Sequence, residues 1–292
     1  MSKKVLITGA SGGFGKLTVH TLLQQGHSVV ASMRNPNSKN QTVATELEEA
    51  GAKIVEIDVT NDASVNNGVQ KAIDLMGGID VVINNAGVGV LGMQEHFTPE
   101  DFQRLFDINV FGVQRINRAV LPHMRANGSG LIIYISSLLG RMTMPFYGPY
   151  NASKWALEAI AENYRTELSG FGIESCIVEP GGFPTNFFGS LMQPSDHSRD
   201  DSYGEFMQVP KQSFDGFEAA LESNPNQNPQ LVADAVTGII SGTPGERAFR
   251  TVVDNMGMGD PIKGYNEQLE QITSGIFNAF GMADMLKLKV QV

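Results

Sequence analysis

Tyr150 and Lys154 stand four residues apart, and Ser137 lies thirteen residues before the tyrosine. On a helix, that four-residue spacing puts a phenol and an ammonium one turn apart on the same face. The residues that follow (Trp155, Ala156, Leu157, Ala159, Ile160, Ala161) read as helix. A positive charge beside a phenol favours phenolate, so Tyr150 is expected to ionise more readily than a free tyrosine. Such a pair can exchange a proton with a substrate oxygen near neutral pH. The spacing alone also fits an ordinary helix surface, and the rest of the chain decides between the two.

Short β-branched runs alternate with longer helical patterns from the first residues onward. Strands are expected at 4–8, 27–33, 52–57, 79–84, 131–136, 173–179 and 248–253. Between them, helices are expected at 13–25, 42–50, 63–76, 99–126, 150–169 and 231–240. This alternation implies right-handed βαβ units and an α/β fold: a doubly wound parallel sheet of about seven strands with helices on both faces. The rhythm breaks after Pro180. Residues 181–230 hold five prolines (Pro184, Pro194, Pro210, Pro225 and Pro229) and a polar run from Ser195 to Ser202. A connection of that length is usually functional, and it is read here as a mobile substrate lid inserted in a single domain, 1–292. A C-terminal extension, 256–292, carries an expected helix at 263–280. It ends Leu286-Lys287-Leu288-Lys289-Val290, either a short strand or an amphipathic contact.

The first expected strand runs into Gly9-Ala10-Ser11-Gly12-Gly13-Phe14-Gly15 and then a helix start. Glycines there let the backbone approach a diphosphate, whose charge sits on the free N–H groups of the helix N-terminus. After the first strand of an alternating pattern, this turn points to nucleotide binding.

Taken in order, Thr8-Gly9 with Gly13 and Gly15, Asn84-Asn85-Ala86-Gly87, Asn109, Ser137, Tyr150 with Lys154, and Pro180-Gly181 with Thr185 resemble the short-chain dehydrogenase/reductases. The likeness is to the branch with one compact, Rossmann-like domain, and it runs from about residue 3 to 185. It implies that Ser137 hydrogen-bonds a substrate carbonyl or hydroxyl oxygen and that Tyr150 trades the proton. Lys154 would lower the Tyr150 pKa and grip the nicotinamide ribose. Asn109 would kink its long helix and hold a water in a proton relay to Lys154. The family places its serine directly before Leu-x-Gly, here Leu138-Leu139-Gly140, which favours Ser137 over Ser136; Ser136 is read as ending the strand.

The resemblance also assigns the cofactor contacts. Gly9, Ser11, Gly13, Phe14 and Gly15 would cradle the diphosphate, with Asn85, Ala86 and Gly87 at the adenosine end. Asp58 would meet the adenine amino group, with Val59 giving a backbone contact; as an isolated residue Asp58 could instead cap the helix near 60–62. At the end of the second strand, NAD-preferring members carry an acid, and here Met33 stands in its place, followed by Arg34. A guanidinium suits a 2′-phosphate and the missing carboxylate removes repulsion, so the expected cofactor is NADP(H). Pro180, Gly181, the Phe183 backbone and the Thr185 hydroxyl would orient the carboxamide for delivery of the pro-S hydride. Pro184 departs from that pattern by removing a backbone donor.

Met142 and Met144 lie between Ser137 and Tyr150, and with Phe146, Tyr147, Phe187, Phe188, Leu191 and Met192 could form an apolar pocket. The expected activity is therefore NADPH-dependent reduction of an apolar aldehyde or ketone, or the reverse alcohol oxidation. The rivals are NAD-linked oxidation of a hydroxylated lipid or sterol and a nonenzymatic dinucleotide sensor. The family likeness implies a homodimer or homotetramer.

Composition narrows the alternatives. A net charge of −10 without a basic cluster argues against nucleic acid and anionic membranes. The single cysteine, Cys176, sits in an apolar run and suits a reducing compartment. The apolar run after Met1-Ser2-Lys3-Lys4 stops at Thr8-Gly9, too short for a signal peptide, and no stretch approaches a membrane span. A cytoplasmic protein is expected. The five histidines show no metal-ligand spacing, and no metal is expected.

Overall fold

The computed structural model describes residues 2–289. Seven strands form one parallel sheet in the order β3-β2-β1-β4-β5-β6-β7. They are β1 (Lys4–Ile7), β2 (Ser28–Met33), β3 (Lys53–Glu56), β4 (Val81–Asn84), β5 (Gly130–Ile135), β6 (Ile173–Pro180) and β7 (Arg250–Val253). The doubly wound α/β expectation holds. Because both faces of such a sheet are covered, its strands read as continuous apolar runs. Alternate side chains then divide between two cores. Val5 and Ile7 of β1 pack with Val19 and Leu22 of α1 (Gly13–Gln24) and with Val232 and Val236 of α9 (Gln230–Ser241). Leu6, from the same strand, joins the other core. There it lies with Val65 and Val69 of α3 (Asp62–Met76), Ile116 of α5 (Gly112–Asn127) and Leu157 of α6 (Gly148–Leu168). The helix α2 (Gln41–Glu49) adds Ala44 and Leu47 to the first core.

The long helix expected at 99–126 is not continuous. It starts as α4 (Pro99–Phe106), behind a capping box in which Thr98 and Asp101 satisfy each other's backbone N–H groups. A π-helical turn, Asp107–Phe111, then separates α4 from α5. Such turns break the regular ladder and are frequent at functional sites, and this one carries Asn109.

Residues 181–230 hold more structure than their composition suggests. After a short helix, α7 (Asp200–Tyr203), comes the fifteen-residue α8 (Val209–Ser223). Pro210 reads as a loop signal in the sequence, yet it stands in the first turn of α8, where a missing N–H costs no helix bond. The segment is fastened to the first turn of α4 and to the loop after β4. Ser195 donates its backbone N–H and its hydroxyl to buried Asp101, at 3.1 and 2.8 Å. Tyr203 donates to Glu95 at 2.6 Å, and Met192 exchanges backbone hydrogen bonds with Gly89 and Leu91.

The last helix, α10 (Gly259–Ala279), begins four residues before its expected start, because the Asp254 carboxylate accepts from the N–H groups of Met256, Met258 and Gly259. Among the described residues the tail forms no strand. Lys289 donates its N–H to the Ser169 carbonyl at 2.9 Å; Val290 lies outside the described residues.

Candidate active site

The turn after β1 is shaped by its neighbour at the end of β4. Thr8 Oγ1 accepts from the N–H groups of Asn85 and Ala86, both at 3.1 Å, and Asn85 Nδ2 donates to the carbonyls of Thr8 and Gly9 at 2.8 and 3.0 Å. Two glycines are compelled by this stitching. Gly9 has φ +67°, and a Cβ on it would stand 2.7 Å from the Ala86 Cα. On Gly15 a Cβ would lie 2.5 Å from the Gly9 carbonyl oxygen. No side chain caps the N-terminus of α1, and its first turn carries no acid. Its free N–H groups and positive dipole end therefore face outward, the arrangement that receives a diphosphate.

A cleft of about 740 Å³ opens over this turn. Gly9, Ser11, Gly13, Phe14, Asn85, Ala86 and Gly87 line it, as do Arg34, Asp58, Val59, Tyr150, Lys154 and Thr185. Gly15 supports the turn from behind. Asp58 does not cap the following helix: Asn61 does, accepting from Ser64 N at 2.8 Å. The Asp58 carboxylate instead accepts from the Thr60 N–H and hydroxyl at 3.0 and 2.8 Å. Burial pushes its carboxyl upward, but those bonds and the nearby Arg34 and Arg115 charges outweigh it, and the pKa is lowered. Lys39, not among the residues expected from the sequence, lines the cleft with Arg34. The signal was a second cation five residues on, in a loop that Asn40 closes by donating to the Arg34 carbonyl at 2.6 Å.

Ser137, Tyr150 and Lys154 converge. Ser137 stands at the head of a tight turn, Leu138–Gly140, with its Oγ accepting from the Leu139 N–H at 3.1 Å. On α6, Lys154 Nζ lies 5.5 Å from the centre of the Tyr150 ring and donates to the Ile135 carbonyl at 2.8 Å. The expected easy ionisation of Tyr150 is corrected here. Burial drives its phenol well above the ordinary range, and the Ser137 hydroxyl pulls it back only in part. Burial likewise brings the Lys154 ammonium down to about 8, while Glu158 works against the fall. Ser136 continues the pairing with β6 through its N–H to the Val178 carbonyl at 2.8 Å, as expected for a residue ending the strand.

Asn109 lines neither cavity. Its Oδ1 accepts from Val88 N at 2.9 Å, and its Nδ2 donates to the Val88 carbonyl at 2.9 Å and to Ser153 Oγ at 3.0 Å. Ser153 donates in turn to the Tyr150 carbonyl at 2.8 Å. The side chain is thus committed to joining the loop after β4 to α6, and any water relay from Asn109 would use its main chain.

A second cavity, of about 200 Å³, meets the cleft at Phe14, Ser136, Tyr150, Thr185 and Phe187, which line both. Ser137 opens into it, as do Pro180, Gly181 and Phe183, expected from the sequence at the cofactor. Of the expected apolar wall, Met144, Tyr147, Phe187 and Phe188 are present. Met142, Phe146, Leu191 and Met192 are not; the Phe146 ring turns toward Phe206, with centroids 6.2 Å apart. Phe217 of α8 and Met258, just before α10, stand there instead. Phe188 stacks edge-on against Phe214 and Phe217, with centroids at 5.6 and 6.1 Å. Among the described residues no three His, Cys, Asp or Glu side chains gather as a metal site, and no helix is long and apolar enough to cross a membrane.

The family profile described as short chain dehydrogenase matches residues 3–196. The chain belongs to the short-chain dehydrogenase/reductase family. It is thus an oxidoreductase by family, and its similarity extends to enzymes of different names. It is 42% identical to a 3-ketodihydrosphingosine reductase of Bacteroides thetaiotaomicron over 63% of this chain and 65% of that protein. It is 34% identical to human retinol dehydrogenase 8 over 82% of this chain and 78% of that one. An alcohol dehydrogenase of Thermococcus sibiricus, solved with 5-hydroxy-NADP, superposes with a TM-score of 0.66 at 25% identity, covering 86% of this chain and 95% of its own. Structures holding NAD or NADH share the fold as well, so likeness alone leaves the 2′ position open.

Proposed function

We propose that this short-chain dehydrogenase/reductase is an NADPH-dependent reductase of apolar aldehydes or ketones. The observation that carries the reading is the position of Tyr150: one phenol lines both the large cleft over the glycine turn and the small, aromatic cavity, beside Ser137. Within that reading, the N–H groups at the start of α1 would hold the diphosphate, Arg34 and Lys39 a 2′-phosphate, and Lys154 the ribose hydroxyls. NADPH bound there supplies the hydride. Tyr150 gives its proton to the substrate oxygen, and Ser137 stabilises the charge that develops on that oxygen. A phenol kept protonated by burial suits donation, and the charged form of Lys154 favours the phenolate left behind.

Residues 181–230 serve in this account as the cover of the substrate cavity, excluding water from the transfer. Buried, unpaired Cys176 is compatible with a reducing compartment, and the proposed setting is a cytoplasmic homodimer or homotetramer. NAD-linked oxidation of a hydroxylated lipid is the second reading, favoured by the similarity to a retinol dehydrogenase. It lacks a carboxylate where Met33 stands. Following NADPH and NADH absorbance against aldehydes, aryl ketones, keto esters and steroids tests the proposal. Turnover of an apolar carbonyl with NADPH preferred is expected, and a preference for NADH with an alcohol substrate would replace it by the second reading.

A further inference from the structure

One turn beyond Lys154 on α6 stands Glu158. The two side chains are 6% and 2% exposed, so water screens their interaction little. Glu158 Oε2 accepts from two guanidiniums, Arg141 at 2.5 Å and Arg250 at 3.1 Å, while its Oε1 makes no hydrogen bond. Glu179 of β6, fully buried, accepts from Arg141 at 3.1 Å and from Asn266 of α10 at 2.6 Å. Glu162 takes the outer faces of both guanidiniums. The C-terminal helix is tied against this cluster through Asn266 and a two-pronged pair between Glu270 and Arg165, at 2.6 and 2.7 Å. Around Lys154 itself, β5 offers only the neutral Ile135 carbonyl and the π turn only neutral Asn109. Tyr150 and Glu158 are its titratable neighbours on α6.

Building on the reductase reading, we propose that Glu158 is a positioning residue that keeps Lys154 in its ammonium form, with Arg141 and Arg250 setting the strength of its field. Burial draws Lys154 down to about 8, and the Glu158 charge is what opposes it. Burial also holds the Glu179 carboxyl up to about 7 against the pull of both arginines. Both guanidiniums donate to the same Glu158 oxygen, one turn along α6 from the lysine. The arginines hold that anion in place and partly neutralise it. The C-terminal extension thereby gains a part in the chemistry although it touches neither cavity wall beyond Met258.

The sign of the effect provides the test. Turnover needs charged Lys154, so it should fall as pH rises through the titration of that group. Glu158→Gln should move this alkaline limb to lower pH by about one unit, while kcat well below the limb stays near the wild-type value. Glu158→Asp restores the charge and should bring the limb back. Arg141→Gln, by leaving Glu158 less neutralised, should move the limb the opposite way. Labelling of the Lys154 amine with a small amine reagent across pH reads the same shifts without turnover. A merely structural role would lower kcat at every pH and leave both the limb and the labelling curve in place, and that result overturns the proposal. Should Glu158→Gln fail to fold, Arg141→Gln decides alone, and an unmoved or lowered limb is the contrary result. A wild type with no NADPH-dependent turnover but the expected labelling shifts would defeat the reductase reading and leave the coupling of Glu158 to Lys154 standing.

Discussion

The two cavities that meet at Tyr150 are made by different means. The 740 Å³ cleft is built around a glycine turn stitched to Asn85 and Ala86, an uncapped helix end, and the loop carrying Arg34 and Lys39. The 200 Å³ cavity is walled by side chains, chiefly the rings of Phe187, Phe188 and Phe217. Backbone recognition suits a ligand whose charge and shape never vary. Aromatic walls suit a ligand chosen by size and apolarity, and they can be rebuilt without disturbing the first site. On this view, changes to one wall should leave the other ligand's affinity untouched.

The sharpest division should come from Ser137→Ala, which removes a donor to the developing alkoxide. Turnover should drop about 10²-fold while NADPH affinity, measured by fluorescence titration, stays unchanged. Next in size is Arg34→Glu. Exchanging a charge-assisted phosphate contact for a repelling carboxylate should swing the NADPH-to-NADH ratio of kcat/KM by about 10- to 100-fold, with the KM of the carbonyl substrate unaltered. On the other wall, Phe217→Ala should raise the KM of an apolar substrate by up to about 10-fold and leave the KM of NADPH alone. A matching rise in both constants would mean that the cavities are not independent.

The smallest effect is on stability and its pH dependence. The Glu179 carboxyl is held up to about 7 in the folded protein, above its ordinary value. Its contribution is therefore fully present below the ordinary carboxylate range and is lost as pH rises through 7. Glu179→Gln, neutral throughout, should lose less Tm than the wild type between pH 5 and pH 8, by a few degrees. Calorimetry at the two pH values checks this.

Legibility in the sequence divides along the same line as the cavities. The sheet, the glycine turn, Asn85 and the Ser137–Tyr150–Lys154 set were readable because strand runs, glycines in tight turns and fixed helical spacings leave local signals. The aromatic cavity was readable only in part. Phe187 and Phe188 follow Thr185 after a single residue, but Phe217 and Met258 arrive from α8 and the approach to α10, whose placement depends on long-range contacts such as Ser195 with Asp101. Pro210 disguised a helix start as a loop. Spacing also could not foresee the protonation states: it puts an ammonium near a phenol, whereas burial decides that the phenol rises and the ammonium falls. The cluster around Glu158 joins α6, β6, β7 and α10, four elements distant in sequence, and nothing local announces it.

The central claim is that Tyr150 delivers a proton to a substrate held in the aromatic cavity while NADPH occupies the cleft. Its most direct test is Tyr150→Phe, measured for NADPH binding by fluorescence and for single-turnover oxidation of NADPH in the presence of an apolar aldehyde. The account predicts NADPH binding close to that of the wild type and a single-turnover rate lower by roughly 10²- to 10⁴-fold. A Phe variant that reduces the aldehyde at near the wild-type rate would contradict it.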